Sequence, residues 1–307
     1  MPSISLPAFA KINLRLHILG PRPDGYHELR TVFQAISLHD TIELERQSTP
    51  RVDLIVEGDD SLAAEPSREN LVCRALAAAR KELRFKSGVR ARLIKRIPVG
   101  RGLGGGSSDA AAALIAMEQL ARRAIPPDRL IAIASSLGAD VPFFLFGGRA
   151  VGIGRGDEIY PLPDGSKSSV LVVSPAKIAV RTADAYGWLR ARLTKPASAS
   201  TLCSFCALCW SPQGSGTWND FESAVFPRYS RLRNIKRELL RAGAAEASLA
   251  GSGSAVFALF RSPAMARRAA HKFPNDQTFI CETLSRGEYC RAQRDRGGAG
   301  LRTRRRR

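Results

Sequence analysis

The sequence has no apolar run approaching the length of a membrane span, and its opening, Met1-Pro2-Ser3-Ile4-Ser5-Leu6, lacks the basic-then-apolar order of a secretory signal. The expectation is a cytoplasmic protein with ordinary apolar content and no membrane partner. Acidic residues are scarce: 28 Asp and Glu stand against 47 Lys and Arg, a formal net charge of +19. Such an excess raises the question of a polyanionic partner. Part of it is local, because residues 286–307 hold nine arginines against Glu288 and Asp295, which puts +7 there and +12 in the other 285 residues. That stretch is glycine-rich, ends in four arginines, and reads as a disordered appendage unable to bury a core. The remaining charge suits anionic small molecules as well as nucleic acid.

Cysteine is also sparse, with six in the chain: Cys73, Cys203, Cys206, Cys209, Cys281 and Cys290. Without a secretory signal, disulfides are not expected. Cys203, Cys206 and Cys209 form C-x-x-C-x-x-C, part of an iron–sulfur run, but the fourth ligand position is occupied by Gln213. The motif is incomplete, so reduced thiols are the reading and no metal site is assigned.

Two familiar nucleotide signatures are missing from the stretch that organises the chain, Ile97-Pro98-Val99-Gly100-Arg101-Gly102-Leu103-Gly104-Gly105-Gly106-Ser107-Ser108-Asp109. No Gly-Lys-Ser/Thr follows the glycines, which excludes a Walker loop. Gly100, Gly102 and Gly105 match G-x-G-x-x-G, but the acid at the right distance, Glu118, falls inside the following helix, so a Rossmann unit recedes as well. Phosphate binding survives both exclusions. A glycine-dense loop lets backbone N–H groups approach an anion, and the alanine-rich helix behind it adds the positive end of its dipole. The hydroxyls of Ser107 and Ser108 are candidates to hold phosphate.

Elsewhere the pattern is mixed strand and helix. Residues 8–19 alternate as a strand with Ile12, Leu14, Leu16 and Ile18 on one face, so Lys11 and Asn13 project together from the other, about 7 Å apart. A turn at 20–25 precedes Tyr26 and His27, which could meet a flat ligand or simply pack. Residues 41–45 and 52–57 read as strands, 68–83 as a helix, 89–97 as a strand entering the glycine loop, and 107–122 and 127–137 as helices. Asp140 then stands before the apolar run 141–146, either as a helix cap or as a base; position alone favours the cap. Arg155-Gly156-Asp157 reads as a turn. The apolar run 169–174 opens a second domain. It is followed by a helix at 182–193 presenting Tyr186, an irregular stretch at 195–216, a helix capped by Asn219, and a helix at 230–241. A second small-residue loop, Gly251-Ser252-Gly253-Ser254, is a tight turn or a second grip on the same polyanion.

Six segments carry a resemblance to a known family: 7–14 (Pro-Ala-Phe-Ala-Lys-Ile-Asn-Leu), 24–29 (Asp-Gly-Tyr-His-Glu-Leu), 98–109, 138–144, 219–222 (Asn-Asp-Phe-Glu) and 251–254. In this order the sequence resembles the GHMP kinases, the group of galactokinase and the homoserine, mevalonate and phosphomevalonate kinases. The resemblance implies an α+β, two-domain fold. Residues 1–165 would form a domain like ribosomal protein S5 domain 2 carrying the ATP-binding glycine loop, 166–285 a ferredoxin-like domain, and 286–307 a basic tail. It implies ATP as phosphoryl donor with Mg²⁺, and Gly25-Tyr26-His27 with the triple glycine narrows the acceptor to a cytidine diphosphate-linked methylerythritol. Phosphorylation would fall on its C2 hydroxyl, in the non-mevalonate route to isoprenoid precursors. By the same resemblance Asp140 is the base and Lys11 its charged partner, Asn13 meets the erythritol, His27 reads the cytosine edge, and Tyr26 with Tyr186 sandwiches the ring. Thr182, four residues before Tyr186, joins Gly251 and Ser252 on the substrate side. Pro98, Gly100, Gly102, Leu103, Gly104, Gly105, Gly106, Ser107 and Ser108 would hold ATP. A monomer or homodimer is expected, with any nucleic-acid contact weak and confined to the tail. Residues 195–216 and the tail depart from the family pattern and leave room for a local addition.

Overall fold

The computed structural model describes residues 3–64, 69–190, 205 and 216–295. Its first sheet is built on two long antiparallel strands, β1 (Ser3–Pro21) and β2 (His27–Gln47). β2 is longer than its alternation foretells because residues 31–36 are buried on both faces, which erases the period of two. Register shifts between Phe9 and Ala10, Asn13 and Arg15, and Ile18 and Gly20 let the pair bend while staying hydrogen-bonded. β3 (Val52–Glu57) continues through α1 (Asp60–Ala63) and α2 (Leu71–Glu82) to β4 (Gly88–Ile94), which lies parallel to β3 and antiparallel to β2.

α3 (Gly105–Ala121), α4 (Pro127–Leu137) and α5 (Val141–Phe146) follow the glycine loop. α3 is buried nearly all round: Ala110, Ala111, Ala112, Ala113, Leu114, Ala116 and Met117 are fully enclosed. Its alanines let α2, α5 and the sheet approach closely, since a methyl group is all that separates the backbones. β5 (Arg149–Ile153) and β6 (Glu158–Pro161) form a hairpin whose turn holds Arg155-Gly156-Asp157, as expected.

The second sheet begins with β7 (Ser169–Ser174), followed by α6 (Thr182–Arg190) and then β8 (Trp218–Asn219), which returns to the first sheet. Next come α7 (Phe221–Val225), α8 (Ser230–Arg241), β9 (Glu246–Leu249), β10 (Val256–Phe260), α9 (Pro263–Ala270) and β11 (Gln277–Glu282). The antiparallel order β11-β7-β10-β9, with α8 and α9 between strands, is the ferredoxin-like arrangement. α8 keeps the bounds its spacing predicts, with Leu232, Ile235 and Leu239 inward. No described helix is long and apolar enough to cross a membrane.

The reading of residues 286–307 as a disordered appendage is corrected at its start, where α10 (Arg286–Asp295) is a helix packed on the first unit. Tyr289 is enclosed there, its ring centroid 5.2 Å from that of Phe9 and its hydroxyl donating to the Phe144 carbonyl at 2.7 Å. Gly147 makes room for it, since a Cβ there would lie 2.2 Å from the ring. High charge hides the helix in the sequence, because the apolar residues it packs on the core are only Tyr289, Cys290 and Ala292. Residues 296–307 and Cys203, Cys206 and Cys209 lie outside the described residues. The first sheet's last strand ends at Pro161 and the second sheet's first begins at Ser169, yet the halves interleave. β8 pairs with β1 at Arg15 and Leu16, Thr283 bridges to Ile36, and α10 closes the first core.

Candidate active site

A cavity of about 840 Å³ opens between the units, lined by β1, both glycine loops, the start of α5 and α6. Lys11 leaves β1 into it. Its Nζ donates to Asn13 Oδ1 at 2.9 Å and lies 3.3 Å from Asp140 Oδ2. Asn13 Nδ2 donates in turn to Thr31 Oγ1 at 2.7 Å, and Thr31 Oγ1 to the Arg15 carbonyl at 2.8 Å. This relay fixes the ammonium from a strand interior, where the Lys11 side chain is 5% exposed against 35% for Asp140. Asp140 occupies the cap position of α5 but makes no capping hydrogen bond. Its carboxylate turns toward Lys11 and the cavity, so the local role that the sequence favours is not the one it performs.

The glycine loop faces this pair. Lys11 N–H donates to the Leu103 carbonyl at 2.9 Å, which ties the loop to β1. Gly104 caps α3 at φ +73°, and a Cβ there would come within 2.8 Å of Phe144 and 3.0 Å of the Lys11 stem. Without a side-chain cap, the first N–H groups of the helix at Gly105, Gly106 and Ser107 lack intrahelical acceptors. The second loop closes against the first: a Cβ on Gly102 would overlap the Ala250 carbonyl at 1.9 Å, and Ala255 N–H donates to the Arg101 carbonyl at 3.2 Å. Arg101, which the sequence does not single out, donates to Ser254 Oγ at 2.7 Å. Asn219 holds the second loop, its amide donating to the carbonyls of Leu249 and Gly251 at 2.9 and 2.8 Å. Its neighbour Asp220 accepts from Ile18 N–H of β1 at 2.8 Å, so residues 219 and 220 brace the two units together.

Farther along the cavity the rings of His27 and Tyr186 stack at 4.4 Å and 21°, and Phe221 meets Tyr186 edge-on at 4.9 Å. It is thus His27, and not Tyr26, that lies on Tyr186. Tyr26 is half exposed, with the Arg155 guanidinium 4.8 Å above its ring. Burial, and then the charge of Asp140, push the Tyr186 hydroxyl up to about 12. Thr182 Oγ1 and Ser252 Oγ are 2.9 Å apart, joining α6 to the second loop.

The arrangement brings the uncapped start of α3, an ammonium–carboxylate pair and an aromatic wall into one cavity. Family models for the GHMP kinases N terminal domain and the GHMP kinases C terminal match residues 70–148 and 208–277. A 4-diphosphocytidyl-2-C-methyl-D-erythritol kinase from Solibacter usitatus is 46% identical over 289 residues, covering 92% of this chain and 90% of its own length. The chain is a GHMP kinase. A second relative of the same description, from Geobacter sulfurreducens, is 39% identical and covers 88% of this chain and 94% of its own. A crystal structure of 4-(cytidine 5'-diphospho)-2C-methyl-D-erythritol kinase superposes with a TM-score of 0.74 at 34% identity, covering 91% of this GHMP kinase and 99% of that chain. A homoserine kinase from Cytophaga hutchinsonii shares the fold at 19% identity and a TM-score of 0.65.

Proposed function

We propose that this kinase transfers the γ-phosphoryl group of ATP to the C2 hydroxyl of 4-diphosphocytidyl-2-C-methyl-D-erythritol. The observation that carries the reading is the placement of the Lys11–Asp140 pair between the uncapped N-terminus of α3 and the His27–Tyr186 stack in a single cavity. Asp140 accepts the proton of the attacking hydroxyl, and Lys11 holds that carboxylate in place and offsets charge as the phosphoryl group moves. The loop N–H groups and the α3 dipole take the phosphates, a role that needs no Walker lysine. Asn13 orients the erythritol, His27 and Tyr186 form the cytosine end, and Tyr26 contributes from the rim.

Among the described residues no group of three or more His, Cys, Asp or Glu is arranged to hold a metal ion. Mg²⁺ would arrive on the nucleotide's own phosphate oxygens, the usual habit of an ion that keeps its waters and uses few protein ligands. Bound there it would supply neutralisation of the phosphate charge.

A coupled assay of ADP release with the cytidine-linked alcohol, homoserine and mevalonate as acceptors tests the reading. Turnover with the cytidine compound should exceed the other two by orders of magnitude, and a reversed ranking would replace the acceptor. Tyr186→Ala should raise KM for the cytidine compound by about 5- to 150-fold with little change in KM for ATP, since one stacked base face is worth about 1–3 kcal/mol.

A further inference from the structure

Behind the glycine loop lies a cluster that the phosphoryl-transfer chemistry does not use. Lys95, one residue past β4, has its ammonium between two carboxylates, Asp40 of β2 and Asp109 of α3. All three side chains are buried, at 3%, 0% and 2% exposure. Asp40 Oδ2 accepts from Lys95, and Asp40 Oδ1 accepts from the N–H groups of Arg96 and Ile97, the last at 2.8 Å. Asp109 Oδ2 accepts from Lys95 at 2.7 Å. Asp40 thus grips the chain just before the glycines, Asp109 sits in the first turns of the helix just after them, and Lys95 joins the two. The ammonium lies directly beneath the start of α3, 3.3 Å from where a Cβ on Gly105 would be.

The charges in this cluster do not balance if both acids are ionised. Asp40 has its oxygens filled by an ammonium and two N–H groups, whereas Asp109 Oδ1 has no hydrogen-bond partner among the described residues. An ionised oxygen enclosed without a donor is costly, and a proton on Asp109 removes the cost by turning the group into a donor toward Asp40. We propose that Lys95 is a positioning residue for the nucleotide, clamping both ends of the glycine loop through Asp40 and Asp109 in a cluster that retains one acid proton and carries no net charge. A neutral clamp presets the N–H cradle without setting a negative charge behind the phosphates it receives.

Burial, opposed by Lys95 and reinforced by Asp40, pushes the Asp109 carboxyl up to about 8. Lys95 and Asp40 are the charged groups that act on it, and Asp59, on the turn before α1, faces Lys95 from outside the cluster. Loss of the Asp109 proton in the alkaline range would leave the clamp negative.

The test is calorimetric titration of the full-length chain with a non-hydrolysable ATP analogue, which needs no acceptor and is independent of the cytidine assignment. Lys95→Met should weaken binding by about tenfold or more, the order of one lost charge-assisted contact set. Val89→Ala, which disturbs the core at the other end of β4, about 20 Å along the strand from Lys95, should stay within about twofold when both variants are measured well below their melting temperatures. From pH 7 to 9.5 the parent chain should lose about tenfold in affinity, one pKa unit of coupling, while Asp109→Asn, which cannot ionise, should stay flat. Should Lys95→Met not fold, the Asp109→Asn series decides alone. Parallel pH curves for the parent and Asp109→Asn, or equal losses in Lys95→Met and Val89→Ala, would overturn the proposal.

Discussion

Asp140 shows how a residue's role can be hidden by its position. In sequence it stands where a helix cap should, and in the structure it caps nothing while facing a buried lysine 3.3 Å away. A general base lost by isosteric substitution costs about 10²–10⁴ in rate, so Asp140→Asn should reduce kcat on that scale while ATP binding stays within a few-fold. Steady-state kinetics beside a nucleotide titration separates the two. Asp109 makes a second prediction at this scale. Its folded carboxyl is raised to about 8, so between the unfolded value near 4 and that point the folded chain holds a proton that the unfolded chain has released. Stability contributed by that proton is full below the unfolded value and declines as pH climbs toward 8. Asp109→Asn should therefore flatten the fall of Tm between pH 5 and 8, as thermal unfolding across that range would record.

Among the elements, the glycine loop is the least tolerant. At Gly104 a methyl group would face a left-handed φ and contact with both Phe144 and Lys11. Gly104→Ala should lower stability by about 1–3 kcal/mol and raise KM for ATP, whereas Gly100→Ala, where nothing lies within 4 Å, should pay the left-handed cost alone. Melting curves for the two variants compare them. Elements with a strong local pattern were legible in the sequence: α8 through Leu232, Ile235 and Leu239 on one face, β1 through its alternation, and α3 through its run of alanines. β2 lost its pattern where both faces are covered, and α10 concealed a buried Tyr289 among arginines. Lys11, Asn13 and Asp140 could be named from sequence because they lie in short motifs, and Tyr186 through its spacing of four after Thr182. Thr31, Arg101 and Asn219's brace could not, since their partners are 16 to 153 positions away. Lys95 and Asp40 did leave a signal. Lys95 falls on the buried parity of Val89, Ala91 and Leu93, and Asp40 on that of Ile42 and Leu44, so each is a charge where the strand period calls for a core residue.

For the whole molecule, the basic excess and the kinase chemistry make different predictions. Deleting residues 297–307 should leave kinase turnover near that of the parent, and if the tail binds RNA it should remove a steeply salt-dependent affinity without touching catalysis. Stopping the chain at residue 285 should be far more damaging, because it takes Tyr289 and the rest of α10 from the first core. Yield of soluble protein and the far-ultraviolet circular dichroism of the two truncations compare them. The same helix bears on how the protein is made. β1, made before the other described strands, receives Tyr289 against Phe9 only after about 280 further residues have been synthesised. Until then Phe9 and its neighbours are an open apolar surface on a nascent chain, and the first unit, although translated first, is the last to be finished.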